Sequence, residues 1–212
     1  LRGRGRGDVR RHGPDEVLLM DVVGALNGWA RRVPTWPFYV LAPLPAAWWL
    51  WLGLTGGLGV EPIKALEHRL GEFALQLLIA GLCVTPLRTH LGLNLIRFRR
   101  VIGLAAFLYV LLHLLTWLLL DVQIWSQIWA DIVKRPYITI GMAGFVLLIP
   151  LAVTSTNAAI RRMGPVAWRR LHRLVYGAVL LGAIHFVMLA KGLQLEPLLY
   201  LAAVLGLLAM RA

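Results

Sequence analysis

The chain has 212 residues, of which 59% are hydrophobic and 15% are charged, and its mean hydropathy is +0.71. Soluble domains carry about 25% charged residues, so this composition excludes an ordinary soluble fold. The single cysteine, Cys83, excludes an internal disulfide, a four-cysteine metal site and the Cys-x-x-Cys-His attachment of a covalent cofactor.

The first 19 residues, LRGRGRGDVRRHGPDEVLL, differ in composition from the rest of the chain. They contain five Arg and four Gly but no apolar run, so they do not form a secretory signal peptide. One interpretation is that natural translation begins at Met20 and that residues 1–19 are an extended start; the other is a disordered basic tail near anionic lipid. Residues 20–37 contain Arg31, Arg32 and two prolines and predict an interfacial helix rather than a membrane crossing.

Six apolar runs are each long enough to cross a bilayer as a helix, which requires about 17 to 25 residues. They occupy residues 38–58, 69–87, 101–120, 137–155, 173–190 and 195–211. Helices are required because lipid offers no hydrogen-bond partner to backbone amides, which a helix pairs internally. The sequence therefore predicts an all-α integral membrane protein in which residues 38–212 form a bundle of six transmembrane helices.

Basic residues concentrate in alternate connections between these spans. They precede span one, separate spans two and three, and separate spans four and five: Arg31, Arg32, Arg88, Arg97, Arg99, Arg100, Arg161, Arg162, Arg169, Arg170 and Arg173. The positive-inside rule assigns such connections to the cytoplasm, so both termini are predicted to be cytoplasmic. Clusters at alternate loops do not form the continuous basic surface that nucleic acid requires, so the net charge of +12 indicates membrane topology and not a nucleic-acid partner.

Two of the six histidines lie at a matched depth in different spans. At about 1.5 Å per residue, His113 lies about 18 Å along span three from its cytoplasmic end, and His185 lies about 20 Å beyond His172 in span five. Two neutral imidazoles at one depth on different helices can ligate a haem iron from opposite sides. The alternative for each histidine is a helix–helix hydrogen bond. The pair predicts a haem site in the outer half of the membrane.

His172 is a candidate ligand for a second haem on the cytoplasmic side. Its partner would be expected 13 or 14 residues before His113, where the chain has Arg100 and Arg99, and a guanidinium cannot bind iron. On an ideal helix, 13 residues also rotate His172 by about 140° from His185. A second haem would therefore need a distorted helix, an open coordination position or another ligand; a solvated His172 is the alternative.

His68, at the outer start of span two, has several possible roles. It can line a quinone pocket, hydrogen-bond a haem propionate or serve as a reserve ligand, but we favour an interfacial residue paired with Glu72 one helical turn later. Arg99 and Arg100 belong to the basic loops that topology alone explains. Their guanidinium groups can also bind haem propionates or a flavin phosphate, because bidentate geometry suits both anions.

Four segments occur in order along the chain: GVEPIKALEHRLGE, FRRVIGLAAFLYVLLHLLTW, RPYITIG and TSTNAAIRRMGPVAWRRLHRLVY. With these segments the sequence resembles the MsrQ (YedZ) family, the haem-binding membrane subunits of bacterial protein-methionine-sulfoxide reductase systems, over about residues 24–212. It is more distantly similar to the transmembrane domains of ferric reductases and NADPH oxidases. The resemblance implies a ferric-reductase-like six-helix core in which His113, His172 and His185 are haem ligands.

The resemblance also implies an electron-transfer cytochrome of the bacterial inner membrane with one or two b-type haems. Electrons would come from the quinone pool or a cytosolic flavin reductase and would leave to a periplasmic molybdopterin reductase that repairs oxidised methionine; FMN is also attributed to the family. The chain has no Gly-x-Gly-x-x-Gly motif, so its donor must be separate. Cys83, in apolar span two, is unsuited to sulfoxide chemistry, so the chain is predicted to transfer electrons and not to reduce the sulfoxide itself.

The sequence is also compatible with two other functions. One is a stand-alone transmembrane haem reductase of metal ions or quinones, which reconstitution with and without a periplasmic partner would separate from the first interpretation. The other is a transporter or structural subunit without a cofactor, which a visible spectrum of the purified protein would identify by the absence of a haem band.

Overall fold

The computed structural model describes residues 14–190, 192 and 194–211, and all regular structure within these residues is helical. The α-helices, numbered in chain order, are α1 (Pro14–Arg32), α2 (Trp36–Leu41), α3 (Leu44–Leu54), α4 (Pro62–Leu91), α5 (Arg99–Thr116), α6 (Trp125–Lys134), α7 (Pro136–Val153), α8 (Asn157–Met163), α9 (Pro165–Leu171), α10 (Leu174–Leu189) and α11 (Leu195–Ala209). A 3₁₀ turn (Ile96–Phe98) precedes α5, and a π-helical stretch (Trp117–Val122) follows it. Of the basic tail predicted at residues 1–19, residues 1–13 lie outside the described part of the chain.

Five helical segments of the described chain are long and apolar enough to cross a membrane. They are Trp36–Leu54, Pro62–Leu91, Ile96–Val122, Pro136–Val153 and Pro165–Leu189, and each overlaps one of the first five predicted apolar runs, with ends that differ by up to eight residues. The sixth run forms α11, an apolar helix of 15 residues. The chain is therefore a multi-pass membrane protein.

The ends of the membrane helices follow their local sequence. Proline occupies the first turn of α4 and of α7, where its missing N–H costs nothing and its fixed φ suits a helix. Helix α4 begins earlier than the predicted run, at Pro62, and continues to Leu91. It ends there because Gly92 adopts the left-handed conformation, with φ of 68°, that closes a helix and that side chains disfavour.

Two antiparallel helix pairs form the centre of the bundle. Helix α4 packs along α5, and α7 packs along α10, while α11 lies against both α10 and α4. The five helices meet in one apolar core, in which the side chains of Ala106, Val179, Ala183 and Val204 are fully buried. In each pair, the segment that connects the two helices lies on one side of the bundle, which we call the closed end. The opposite side, where the two helices are not connected to each other, is the open end.

Hydrogen bonds join the connections at the closed ends of the two pairs. The Asn27 side chain of α1 donates to the Gly92 carbonyl at 2.9 Å and accepts from the Asn94 amide at 2.8 Å. Arg97 donates to the Ala30 carbonyl at the end of α1 at 2.8 Å. Arg100 reaches Asn157, at the start of α8, at 2.8 Å. The connections in which the sequence places its basic clusters therefore lie together at one end of the bundle.

Candidate functional site

His113 and His185 lie against each other at the open ends of the two helix pairs. His113 is in the last turn of α5 and His185 is near the end of α10. Their ring centres are 6.2 Å apart, and the ring planes are nearly perpendicular, at 77°. The tertiary structure thus brings together the two histidines that the sequence places at one depth.

This separation suits two histidines that would ligate one haem iron. A bond between a metal ion and an imidazole nitrogen is about 2 Å long, and the ring centre lies about 1 Å behind that nitrogen, so two imidazoles on opposite sides of one iron have centres about 6 Å apart. The observed 6.2 Å matches this distance. Within the described residues, no group of three or more His, Cys, Asp or Glu side chains is arranged to hold a metal ion. Two imidazoles can suffice for the iron of a haem, because the macrocycle supplies its other four ligands.

Backbone carbonyl groups orient both imidazoles. His113 Nδ1 lies 2.9 Å from the carbonyl oxygen of Glu67 in the first turns of α4, and His185 Nδ1 lies 2.7 Å from the carbonyl oxygen of Tyr137 at the start of α7. A carbonyl oxygen only accepts, so each Nδ1 carries the proton and donates it. In the neutral ring, Nε2 then keeps the free lone pair that a metal ion requires.

Two glycines lie beside the imidazoles and were not identified from the sequence. Gly71 of α4 faces His113, and Gly141 of α7 faces His185; a Cβ atom added to either would contact the imidazole ring at 3.1 Å or less. The two glycines stand in the segments GVEPIKALEHRLGE and RPYITIG. A glycine inside a helix is unfavourable without a local reason, and this was the available signal.

His172 lies apart from this pair, at the junction between α9 and α10. The Thr154 hydroxyl donates to the Pro150 carbonyl at 2.6 Å, so it accepts the hydrogen bond from His172 Nε2, 3.1 Å away. The imidazole also stacks on the Trp168 ring, with centres 3.8 Å apart. Because α10 begins only after His172, the rotation expected from one ideal helix does not apply to this residue.

His68 is exposed on α4, and its expected partner Glu72 contacts other groups. The Glu72 carboxylate accepts hydrogen bonds from Gln76 at 2.9 Å and from Tyr200 of α11 at 3.1 Å. His68 instead borders a groove with the ion pair of Glu61 and Lys64, whose atoms are 2.6 Å apart. The hydrogen bond and the positive charge of Lys64 lower the pKa of the Glu61 carboxyl.

Arg99 and Arg100, which occupy the positions where a partner ligand for His172 would be expected, lie at the closed end of the bundle. Arg99 donates to the Thr85 hydroxyl of α4 at 3.0 Å, and Arg100 donates to Asn157 at 2.8 Å. Both guanidinium groups therefore have uncharged partners and join helices at this end. Donors of this kind can bind an anion, such as a haem propionate or a phosphate, at their remaining N–H groups.

Comparison with known families places the chain among membrane reductase components. Residues 69–183 match the family described as "Ferric reductase like transmembrane component". The matched range contains His113 and His172, and it ends just before His185.

Close relatives share most of their length with this chain. A protein of Agrobacterium fabrum is 48% identical over 177 residues, which is 83% of this chain and 82% of the relative. Proteins of Caulobacter vibrioides and Rhizobium meliloti are 51% identical over 169 and 178 residues; these matches cover 79% and 84% of this chain and 80% and 82% of the relatives. All three relatives are named "Protein-methionine-sulfoxide reductase heme-binding subunit MsrQ".

Proposed function

The chain belongs to the MsrQ family of ferric-reductase-like membrane proteins, and from that membership we propose that it is the haem-binding membrane subunit of a bacterial methionine-sulfoxide reductase system. It passes electrons across the inner membrane to a separate periplasmic molybdopterin reductase, which repairs oxidised methionine in proteins. The chain itself holds the electron carrier and does not bind the sulfoxide.

The arrangement of His113 and His185 is the observation that carries this proposal. The 6.2 Å between their ring centres suits two ligands of one iron. The hydrogen bonds to the carbonyl oxygens of Glu67 and Tyr137 place the proton of each ring on Nδ1, so both rings are ready to ligate through Nε2. A b-type haem bound there supplies one-electron transfer.

The number of electrons in the sulfoxide reduction determines how many transfers the chain must make. Reduction of one methionine sulfoxide consumes two electrons and two protons, and it releases the thioether and one water. Because the haem proposed at this site would supply electrons singly, the chain would have to transfer two electrons for each turnover of the partner. The sole cysteine, Cys83, lies within α4, where it has no role in this reduction.

We propose that six helices cross the membrane and that both ends of the chain face the cytoplasm. Helix α11 is the sixth crossing: it buries Val204 against the central core, and its Tyr200 hydrogen-bonds to Glu72 and Gln76 of α4. The clustered basic connections at the closed end of the bundle support a cytoplasmic position for that end. The histidine pair then lies near the periplasmic surface, where the partner reductase docks.

The donor is the quinone pool or a cytosolic flavin reductase, and FMN is a second cofactor of the proposed system. A quinol would approach the hydrogen-bonded cluster of Glu72, Gln76 and Tyr200 from the lipid, since polar groups at membrane depth mark substrate paths. A flavin phosphate, or the propionates of a second, inner haem, would bind the guanidinium groups of Arg99 and Arg100. An inner haem would also require His172 to exchange its bond with Thr154 for one with iron.

The visible spectrum of the purified protein tests the proposal. The parent protein is expected to show a Soret band and, after reduction, the α band of a b-type haem. His113→Ala and His185→Ala are each expected to lose the low-spin spectrum of the outer haem, because each removes one of the two proposed iron ligands. His90→Ala is the matched control, since His90 is an exposed residue at the end of α4 and should retain the parent spectrum and haem content.

Reconstitution in vesicles with the partner reductase tests the direction of electron flow. The haem reduced by a quinol, or by NADH with a flavin reductase, should be reoxidised when partner and methionine sulfoxide are added together. Absence of a haem band in the parent protein would contradict the proposal. Reoxidation by ferric chelates or quinones, but not by the partner, would favour a stand-alone reductase.

A further inference from the structure

Each helix that supplies a carbonyl group to a histidine also places a glycine one turn later against the same imidazole. A Cβ atom at position 71 would lie 3.0 Å from His113 Nδ1 and 3.1 Å from its Cε1. At position 141 it would lie 2.8 Å from His185 Nδ1 and 3.1 Å from its Cε1. In both cases the three nearest atoms belong to the imidazole ring.

The two contacts share one geometry. Glu67 precedes Gly71 by four residues, and Tyr137 precedes Gly141 by four residues, so carbonyl and glycine lie on the same helix face, one turn apart. Each imidazole lies beside both of these positions: its Nδ1 donates to the carbonyl oxygen of the first residue, and its ring atoms would be the nearest neighbours of a Cβ atom at the second. A side chain at the second position would push the ring away from the carbonyl oxygen.

We propose that Gly71 and Gly141 are positioning residues that let the imidazoles of His113 and His185 approach the helices closely enough to be held by the Glu67 and Tyr137 carbonyl oxygens. This inference rests on the proposed function, because it takes the two histidines as haem ligands. The glycines act through the histidines: they set the position and rotation of each ring, and therefore how each Nε2 meets the iron. Groups that hydrogen-bond to a metal-ligating histidine typically change metal affinity about 10-fold to 100-fold when altered.

Helix propensity predicts a different effect of Gly→Ala at glycines that have no such contact. Alanine is the most favourable residue in a helix interior and glycine the least favourable after proline, so Gly→Ala without a steric contact should be neutral or stabilising. Gly81 of α4 and Gly144 of α7 provide this comparison on the same two helices. A Cβ at either position would meet its nearest neighbours at 3.5 Å or more, which is ordinary packing.

The test compares Gly71→Ala and Gly141→Ala with Gly81→Ala and Gly144→Ala in the full chain. The readouts are the haem retained per purified protein, the low-spin electron paramagnetic resonance signal of the ferric haem, and its midpoint potential. Gly71→Ala and Gly141→Ala should weaken haem retention about 10-fold or more and change the g values, with the larger effect for Gly141→Ala. The two control variants should match the parent protein in all three readouts.

A second pair of variants covers the case in which a glycine variant does not accumulate. Combining Gly71→Ala with His113→Ala, or Gly141→Ala with His185→Ala, removes the ring that the new Cβ would meet. If the clash is with the imidazole, each double variant should accumulate in the membrane as well as the corresponding histidine variant. Equal loss of the single and double variants would mean that the glycine serves helix packing, and this result would overturn the inference.

The outcomes separate this inference from the proposed function. Unchanged haem in His113→Ala and His185→Ala would overturn the ligand assignment and, with it, the role of the glycines. Loss of haem in those variants, together with parent-like haem retention, g values and potential in Gly71→Ala and Gly141→Ala, would overturn the inference alone.

Discussion

Tyr109 of α5 is a fully buried residue whose hydroxyl group hydrogen-bonds to the backbone where the first membrane segment is interrupted. That segment is divided at Ala42 and Pro43 into α2 and α3. The Tyr109 hydroxyl donates to the Ala42 carbonyl at 2.7 Å and accepts from the Ala46 amide at 3.2 Å. Neither backbone group has a partner within its own helix, because one lies at the end of a helix and the other at the start of the next. In lipid such groups need an internal partner, and one phenol serves both.

Replacing Tyr109 with Phe should therefore destabilise the protein while its ring packing remains. The ring contacts Phe73 and Trp49 edge to face, and these contacts do not need the hydroxyl. We expect a loss of about 1 to 2 kcal/mol in the free energy of unfolding, measured by thermal or denaturant titration in detergent. Tyr39→Phe is the control, since Tyr39 is 40% exposed. Equal stability of the two variants would contradict this role for Tyr109.

Helix α6 is an element that the apolar runs did not predict. It is only ten residues long, too short to cross the membrane, and it lies between the π-helical stretch and α7. Ile128 is buried against Trp117 and Ile138, whereas Trp125, Trp129 and Val133 form an exposed stripe with a four-residue repeat. Tryptophan is enriched at the boundary between lipid and water, so we infer that this stripe lies in the membrane interface.

Spin labels on α6 test this placement. A label at Trp129→Cys should be accessible to oxygen, which concentrates in lipid. A label at Gln127→Cys, two residues earlier and therefore rotated by about 160° from Trp129, should be accessible to a water-soluble nickel complex. Both variants carry Cys83→Ser, which removes the other thiol. Equal exposure of the two labels to the nickel complex would show that the stripe faces water.

At the scale of the whole molecule, the two helix pairs concentrate different chemistry at their two ends. The closed end carries the arginine-rich connections joined by Asn27, Arg97 and Arg100. The open end carries the histidine pair and α6. The two ends of the bundle therefore differ in charge and in chemistry, and the orientation of the chain in the membrane decides which of them faces the periplasm.

Cysteine labelling in the Cys83→Ser background measures that orientation and the crossing by α11. In intact spheroplasts, a membrane-impermeant maleimide should label Asp121→Cys and Gln194→Cys, which lie at the open end and before α11. It should label Arg161→Cys and Met210→Cys only in permeabilised cells. All four residues are exposed in the structure. Labelling of Gln194→Cys and Met210→Cys from the same side would exclude a crossing by α11.

The sequence was sufficient for properties that depend on position along a single helix. The lengths of the apolar runs predicted the membrane helices, and the first five runs are confirmed as segments of membrane-spanning length. Matched distances from span ends selected His113 and His185, because a helix rises by a constant amount per residue. The four ordered motifs led to the MsrQ family, which the relatives confirm. The ligand roles of these histidines stay predictions.

Only the tertiary structure decided properties that depend on how each helix is rotated about its own axis and what it packs against. The depth of a residue in the membrane does not predict that His113 contacts the Glu67 carbonyl group and Gly71, or that His172 contacts Thr154. The sequence also predicted a pairing of His68 with Glu72, but Glu72 instead bonds Tyr200 of α11, which lies 128 residues away from it in the chain. Composition and spacing determine which residues enter the membrane and how deeply; packing between helices determines which atoms they touch there.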